Sequence, residues 1–260
     1  MIVLFSYLVV FLAIHHIWFW TKNNGFLSNI PGNLLISHRG YTNKCPENTI
    51  ESFQKAVQEG FQWIELDIVG TKDGIAVCSH NFDLEKETNG IGYIDQTNYR
   101  MIRSCHCLLS NGLVTDSKIP SLEEVLDTLP NWVGLDVEVK TKSLFDLSSA
   151  RATSRLISKL RLRPYLITSF NPIALLYFKL FYRVVPIGFL YQEKRMRWLA
   201  NILHPDVILP RADLIDNSII KFSKIKKLRL FTWTVNNISS IKYCFDNGVE
   251  GVITDIKVPK

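Results

Sequence analysis

Eight short apolar runs alternate with helical patterns along most of this chain, and few folds use that rhythm. The runs are LLISH (34–38), WIELDI (63–68), VGLDVEV (133–139), YLITSF (165–170), VVPIGFL (184–190), DVILP (206–210), LRLFTWTV (228–235) and GVITD (251–255). Most are continuously apolar rather than alternating, as strands are when both faces are buried. Helical segments such as TIESFQKAVQEG, SLEEVLDTL, SLFDLSSARATSRLISKL, KRMRWLANIL and SSIKYCFDNG separate them. Buried strands alternating with helices imply a parallel sheet, and eight such units predict a (β/α)8 TIM barrel. An open doubly wound sheet is the alternative, but no glycine-rich phosphate fingerprint follows the first run. Residues 81–119 break the rhythm. They are turn-rich, polar and too long for an ordinary loop, which predicts a small insertion over the barrel mouth after the second strand unit. The first helix has a start signal, with Asn48 as cap and Glu51 three residues later.

The N-terminus has another character. Residues 2–20, IVLFSYLVVFLAIHHIWFW, contain no charged group and are about long enough to cross a bilayer. Trp18, Trp20 and Lys22 close the run as side chains do at a membrane interface. A cleaved signal peptide wants a basic start and small residues at its end, and neither is present. The expected organisation is a transmembrane anchor over residues 1–22, a linker rich in Asn, Gly and Pro over 23–33, and a barrel over 34–260. The cationic flank, Lys22 followed by Arg39 and Lys44, places the barrel of this single-pass protein on the cytoplasmic side. A net charge of +6 suits an anionic membrane or a phosphorylated substrate. No basic stretch interleaved with aromatics is present, so nucleic acid is not an expected partner. The five cysteines are irregularly spaced and form neither a disulfide framework nor a zinc pattern; Cys105, His106 and Cys107 read as a loop.

Polar residues at the ends of apolar strands are costly unless used. His38 and His80 each follow such a run, and Glu65 and Asp67 lie two apart on another, so they share a face. Asp136, Glu138 and Lys140 do the same on a third. In a barrel these positions ring the C-terminal mouth, where such folds keep their chemistry. The carboxylates Glu65, Asp67 and Glu138 suit a hard divalent cation such as Mg2+ or Ca2+. Arg39 and Lys140 suit an anion beside it, although Lys140 with Glu138 is equally an ordinary buried ion pair. Two histidines complete a set for acid/base work.

These residues resemble the glycerophosphodiester phosphodiesterase family over nearly the whole chain after the linker. The resemblance rests on HRG and PENT at 38–40 and 46–49, ELDI at 65–68, TKDG at 71–74, SHN at 79–81, IPSLEEVL at 119–126, VEVK at 137–140, TSF at 168–170, TWTVN at 232–236 and GVITD at 251–255. It implies metal-dependent hydrolysis of glycerophosphodiesters to glycerol 3-phosphate and an alcohol. It implies His38 and His80 as the acid/base pair, Glu65, Asp67 and Glu138 as metal ligands, and Arg39 and Lys140 as the phosphate grip. Trp233 would line the alcohol side of the pocket. Asn81 departs from the aspartate usual after the second histidine: the amide keeps the hydrogen-bonding shape and loses a charge. The terminal TDIKVPK departs as well. The apolar N-terminus, the apolar segment 172–183 and the basic-aromatic group Lys194, Arg195, Arg197 and Trp198 raise an alternative, a lysophospholipase D acting on membrane lysophospholipids. A further alternative is a non-catalytic lipid- or phosphate-binding membrane protein on a decayed barrel.

Overall fold

The computed structural model describes residues 2–18 and 30–258. The strands are β1 (Leu34–Ser37), β2 (Trp63–Gly70), β3 (Ala76–Cys78), β4 (Gly134–Val139), β5 (Tyr165–Ser169), β6 (Ile187–Tyr191), β7 (Val207–Pro210), β8 (Arg229–Thr232) and β9 (Gly251–Thr254). Their order is β1-β9-β8-β7-β6-β5-β4-β2, and β1 pairs with β2 to close the ring. All eight pairings around the ring are parallel. Each of the eight apolar runs holds one barrel strand, as the alternation predicts. β3 lies outside the ring, antiparallel to the end of β2. At three residues it is too short to leave a pattern in the sequence.

Continuous apolarity is explained by two cores. Outward side chains such as Leu66, Leu135, Val137 and Ile167 pack under the surrounding helices. Inward ones, among them Ile36, Trp63, Leu166, Leu209, Phe231 and Ile253, fill the barrel floor. Two glycines make that floor possible. A Cβ on Gly134 would lie 2.2 Å from Trp63 Cε2, and one on Gly251 would lie 2.6 Å from Phe231 Cδ1. Above this apolar floor the inward positions of β2 and β4 turn acidic, because the register sets Glu65 beside Asp136 and Asp67 beside Glu138.

The first barrel helix, Ile50–Gln58, starts one residue later than the sequence suggests. Its cap is Thr49, which exchanges hydrogen bonds with Ser52 in a capping box. Asn48 is no cap: its φ is 56° and its side chain is committed to Asp67. The segment 143–160 forms two short helices, Ser148–Ser154 and Ile157–Leu160, and the segment after β6 is 3-10 helix over Lys194–Leu199 before Ala200–Leu203. The stretch between β3 and the helix Leu122–Thr128 contains short helical turns and isolated β-bridges, and it has its own small core of Leu84, Ile94, Ile102, Cys107 and Ile119 against Val69 and Val77. It therefore packs on the β2–β3 edge.

Residues Ile2–Trp18 form one helix whose described side chains are exposed, including Phe5, Phe11 and Leu12. Its 17 described residues span about 26 Å, against a hydrocarbon layer of roughly 30 Å. No helix among the described residues is long and apolar enough to cross a membrane. Trp20, Lys22 and linker residues 23–29 lie outside the described residues. The helix meets the barrel through His16, whose ring stacks on His204 at 3.9 Å and whose Nε2 lies 3.2 Å from the Ile202 carbonyl.

The barrel floor yields a stability prediction. Gly134→Ala forces its methyl into the buried Trp63 ring. Overpacking of this kind costs about 1–3 kcal/mol. The denaturant midpoint should fall by the corresponding amount with the m-value unchanged; a wild-type midpoint would show that the floor has slack.

Candidate active site

A cavity of about 290 Å³ opens at the C-terminal end of the barrel strands, and His38, Arg39, Glu65, His80, Glu138, Lys140 and Trp233 all line it. Asp67 lies just behind, between Arg39 and Lys140. The structure thus brings the eight residues expected to act as acid/base, metal-ligating or substrate-binding groups around one space. Tight turns put them there. His38 donates its backbone N–H to the Thr254 carbonyl on β9, and Arg39 follows at φ 52° with its N–H 3.0 Å from Glu65 Oε2. Gly40, at φ 81°, passes Ser52 so closely that a Cβ would lie 2.4 Å from its Oγ.

Charge is densely paired. Arg39 Nε lies 3.0 Å from Asp67 Oδ2, and its Nη1 donates to Glu47 Oε1 at 2.9 Å. Lys140 Nζ lies 2.8 Å from Asp67 Oδ1 and 2.5 Å from Glu138 Oε1. Asn48 Nδ2 donates to Asp67 Oδ2, and the Asp67 N–H returns a bond to Asn48 Oδ1. Burial opposes the ionised form of Asp67, but Lys140, Arg39 and then His80 outweigh it and hold the carboxyl far below its ordinary range. Burial likewise opposes the charges of Arg39 and Lys140; Asp67 and Glu47 for the former, Glu138 and Asp67 for the latter, hold both above their ordinary values. Glu65 is pushed well up by burial and by Asp67 and Glu138. Glu138 is pushed up by burial against the pull of Lys140.

Glu65, Asp67 and Glu138 each offer an oxygen within 4.8 Å of the others. These are buried hard donors, two of them raised by burial and then by their acidic neighbours, which fits a divalent cation. Asp136, beneath them, is pushed up to about 7 by burial despite a hydrogen bond from Thr168.

The two histidines are held differently. His38 Nδ1 lies 2.7 Å from Asp255 Oδ1. Burial raises Asp255, but the His38 hydrogen bond brings it below its ordinary value, so the carboxylate is the acceptor and Nδ1 carries the proton. Burial pushes His80 down to about 4, against the pull of Asp67. Trp233 stands edge-on to Phe170 with ring centres 5.2 Å apart and donates its Nε1–H to the Leu209 carbonyl.

Four residues that hold this arrangement carry no signal of it in the sequence: Glu47, Asn48, Asp255 and Glu87, whose carboxylate accepts from the His80 and Asn81 N–H groups. Three sit inside the motifs PENT and GVITD, and the partners of Asn48 and Asp255, at Asp67 and His38, come to them only through the fold. Cys105, His106 and Cys107 are not part of the site; the His106 ring bonds the Thr115 carbonyl and Cys107 is buried in the insertion.

A barrel with two histidines and a carboxylate cluster at its mouth is the arrangement of an enzyme active site. Residues 38–256 match the Glycerophosphoryl diester phosphodiesterase family, and the chain belongs to it and is an enzyme of that family. A glycerophosphodiester phosphodiesterase of Caldanaerobacter subterraneus subsp. tengcongensis is 29% identical over 232 residues, 85% of this chain and 93% of the relative. Among solved structures, a phosphodiesterase of Oleispira antarctica in complex with the product sn-glycerol-3-phosphate superimposes with a TM-score of 0.77 at 23% identity, covering 85% of this chain and 92% of that one. A glycerophosphoryl diester phosphodiesterase structure from Silicibacter pomeroyi gives 0.78 at 22% identity, covering 88% and 93%. At these identities the two structures establish the shared fold.

The depressed His80 predicts a pH effect on metal-free protein. The unfolded chain protonates this histidine near 6.5 and the folded chain only near 4. The unfolded state binds more protons between those values, so stability falls as pH drops through that window. His80→Gln cannot titrate and should lose less stability from pH 7 to 4 in thermal melts. An unchanged slope would place the proton uptake elsewhere.

Proposed function

We propose that this enzyme hydrolyses glycerophosphodiesters to glycerol 3-phosphate and an alcohol, with Mg2+ or Ca2+ as cofactor. The observation that carries this reading is the sharing of one cavity by His38, His80 and the carboxylate cluster. Glu65, Asp67 and Glu138 would hold the cation, which when bound supplies positive charge against the phosphodiester's developing negative charge. Arg39 and Lys140 line the same wall and present two further fixed cations to the phosphate. His80, neutral at pH 7, takes the proton of the attacking hydroxyl, either water or the neighbouring glycerol hydroxyl. The new P–O bond forms as the P–O bond to the alcohol breaks; where the glycerol hydroxyl attacks, the product is a cyclic phosphate, and water then attacks its phosphorus and opens the ring to glycerol 3-phosphate. His38, its Nδ1–H held by Asp255, delivers a proton from Nε2 to the departing oxygen. Trp233 and Phe170 give the alcohol an apolar wall.

Chelation with EDTA should abolish release of glycerol 3-phosphate, and Glu65→Gln should raise the metal concentration needed to restore it. His38→Ala and His80→Ala should each lower kcat by roughly 10²–10⁴ with the fold retained by circular dichroism. Near wild-type turnover in either histidine variant would sink the assignment. A folded wild-type protein that binds glycerol 3-phosphate but never turns over would favour the non-catalytic alternative.

We also propose that residues 2–20 anchor the protein in a membrane, with the barrel on the cytoplasmic side. Support comes from the uncharged run, its exposed apolar side chains over Phe5–Ile14, and the exposed Leu180 and Phe181 on the barrel helix Pro172–Phe181. His204 lies between a helix and the strand that follows it, β7, so the N-terminal helix docks at the end of the barrel opposite the mouth. That placement favours a water-soluble substrate over a lysophospholipid. Full-length protein should stay with membranes through alkaline carbonate, and a version starting at Gly25 should be soluble. Both forms should prefer glycerophosphocholine to lysophosphatidylcholine. Extraction by carbonate would overturn the anchor, and preference for the lysolipid would overturn the substrate reading.

A further inference from the structure

His38 is oriented through its ring, but no hydrogen bond among the described residues reaches the ring of His80. What the structure holds instead is its backbone, through Glu87 in the insertion. The Glu87 carboxylate accepts from Ser79 Oγ at 2.8 Å, from the His80 N–H at 3.1 Å and 3.3 Å, from the Asn81 N–H at 2.9 Å and from Asn81 Nδ2 at 2.8 Å. Four donors from three consecutive residues converge on one side chain. A carboxylate is the acceptor that can take them all, since its two oxygens offer about four lone-pair sites and no donor.

Each end of this clamp is anchored. The Ser79 N–H donates to the Asp67 carbonyl on β2, so the segment 79–81 is tied to the strand carrying Glu65 and Asp67. Glu87 ends the helical turn Leu84–Glu87, whose Leu84 is buried in the core of the insertion, and the Glu87 carbonyl accepts from the Leu108 N–H at 2.8 Å. Asn81 fits this partner because an amide donates. An aspartate at 81 would set a second carboxylate against Glu87 at hydrogen-bond distance, where like charges repel.

We propose that Glu87 is the positioning residue for His80: the insertion supplies a carboxylate that seats the histidine's backbone at the cavity wall, and Asn81 is its matched donor. The proposal deepens the phosphodiesterase reading above and rests on it for the role of His80. Proton transfer depends steeply on placement, and a shift of about 1 Å can cost on the order of 10² in rate. Glu87 does not line the cavity, so its loss should act on kcat while leaving binding by Arg39 and Lys140 intact.

The test uses the full chain with metal supplied. Glu87→Gln turns one acceptor into a donor facing N–H groups and should lower kcat roughly 10- to 100-fold with little change in KM. Asn81→Asp should do the same. The double variant Asn81→Asp/Glu87→Gln exchanges donor and acceptor across the pair and should recover much of the lost kcat. Independently of activity, the His80 and Asn81 amide protons should be shifted downfield and slow to exchange in wild type, and both signatures should be lost in Glu87→Gln while distant amides keep theirs. Should Glu87→Gln not fold, Asn81→Ala removes only the side-chain donor and should show a smaller loss of kcat in the same direction. Wild-type kcat in Glu87→Gln, or unmoved His80 and Asn81 amides, would overturn the proposal. If wild type releases no glycerol 3-phosphate, the reading of function fails, and the amide resonances still decide whether Glu87 seats His80.

Discussion

The Asp67 carboxylate is the contact on which the mouth of the barrel depends. It meets Arg39 from the loop after β1, Asn48 from the turn before the first barrel helix, and Lys140 from the end of β4. Its own backbone carbonyl takes the Ser79 N–H beyond β3. Four separate chain segments are thereby indexed to one buried acid. Such a group is tolerable only because it is paired on both oxygens; removing one partner of a buried pair typically costs about 3–5 kcal/mol. The same pairing keeps Asp67 ionised while Glu65 and Glu138, with fewer cations at hand, are pushed toward protonation. The cluster thus contains both a permanent anion and carboxyls whose charge a bound cation would secure.

Barrel topology turns this electrostatic centre into a site. Because β2 and β4 are parallel and in register, Glu65 falls beside Asp136 and Asp67 beside Glu138, two acidic layers above an apolar floor. A one-residue slip of either strand would turn its acids out under the helices. The floor is closed by Trp63 and Phe231, which need Gly134 and Gly251 opposite them. Packing at one end of the barrel therefore guards the register on which the chemistry at the other end relies.

The barrel was legible in the sequence because strands buried on both faces must be apolar throughout, so eight continuous runs could be counted directly. The acids and histidines were legible because they interrupt that apolarity. Partners supplied by tertiary contact were not. Asn48 looks like a helix cap in one dimension, and only the fold reveals that its left-handed backbone turns it to Asp67. Asp255 belongs to the last strand-end and His38 to the first; closure of the ring makes them neighbours. Asn81 reads as a charge lost beside His80, yet a carboxylate six residues further along the chain, on Glu87, meets it. β3 and its three residues gave no pattern at all.

The polarity of the barrel also bears on what reaches the site. In this fold the loops that follow strands form the mouth, and those that follow helices form the opposite end. His204 and the exposed end of the helix Pro172–Phe181 belong to the second set, and the N-terminal helix docks there through His16. A bilayer engaged by residues 2–18 would then lie on the side of the barrel away from Trp233 and the histidines. A single-chain lipid would have to leave that bilayer and travel the barrel's length before meeting the cavity, at a cost of about 0.8 kcal/mol for each methylene exposed to water. A glycerophosphodiester carries no such chain and can reach from solution a mouth where Arg39 and Lys140 stand among the carboxylates. The apolar N-terminal helix and the polar, charge-dense cavity thus occupy opposite ends of the barrel, so neither has to compromise the surface of the other.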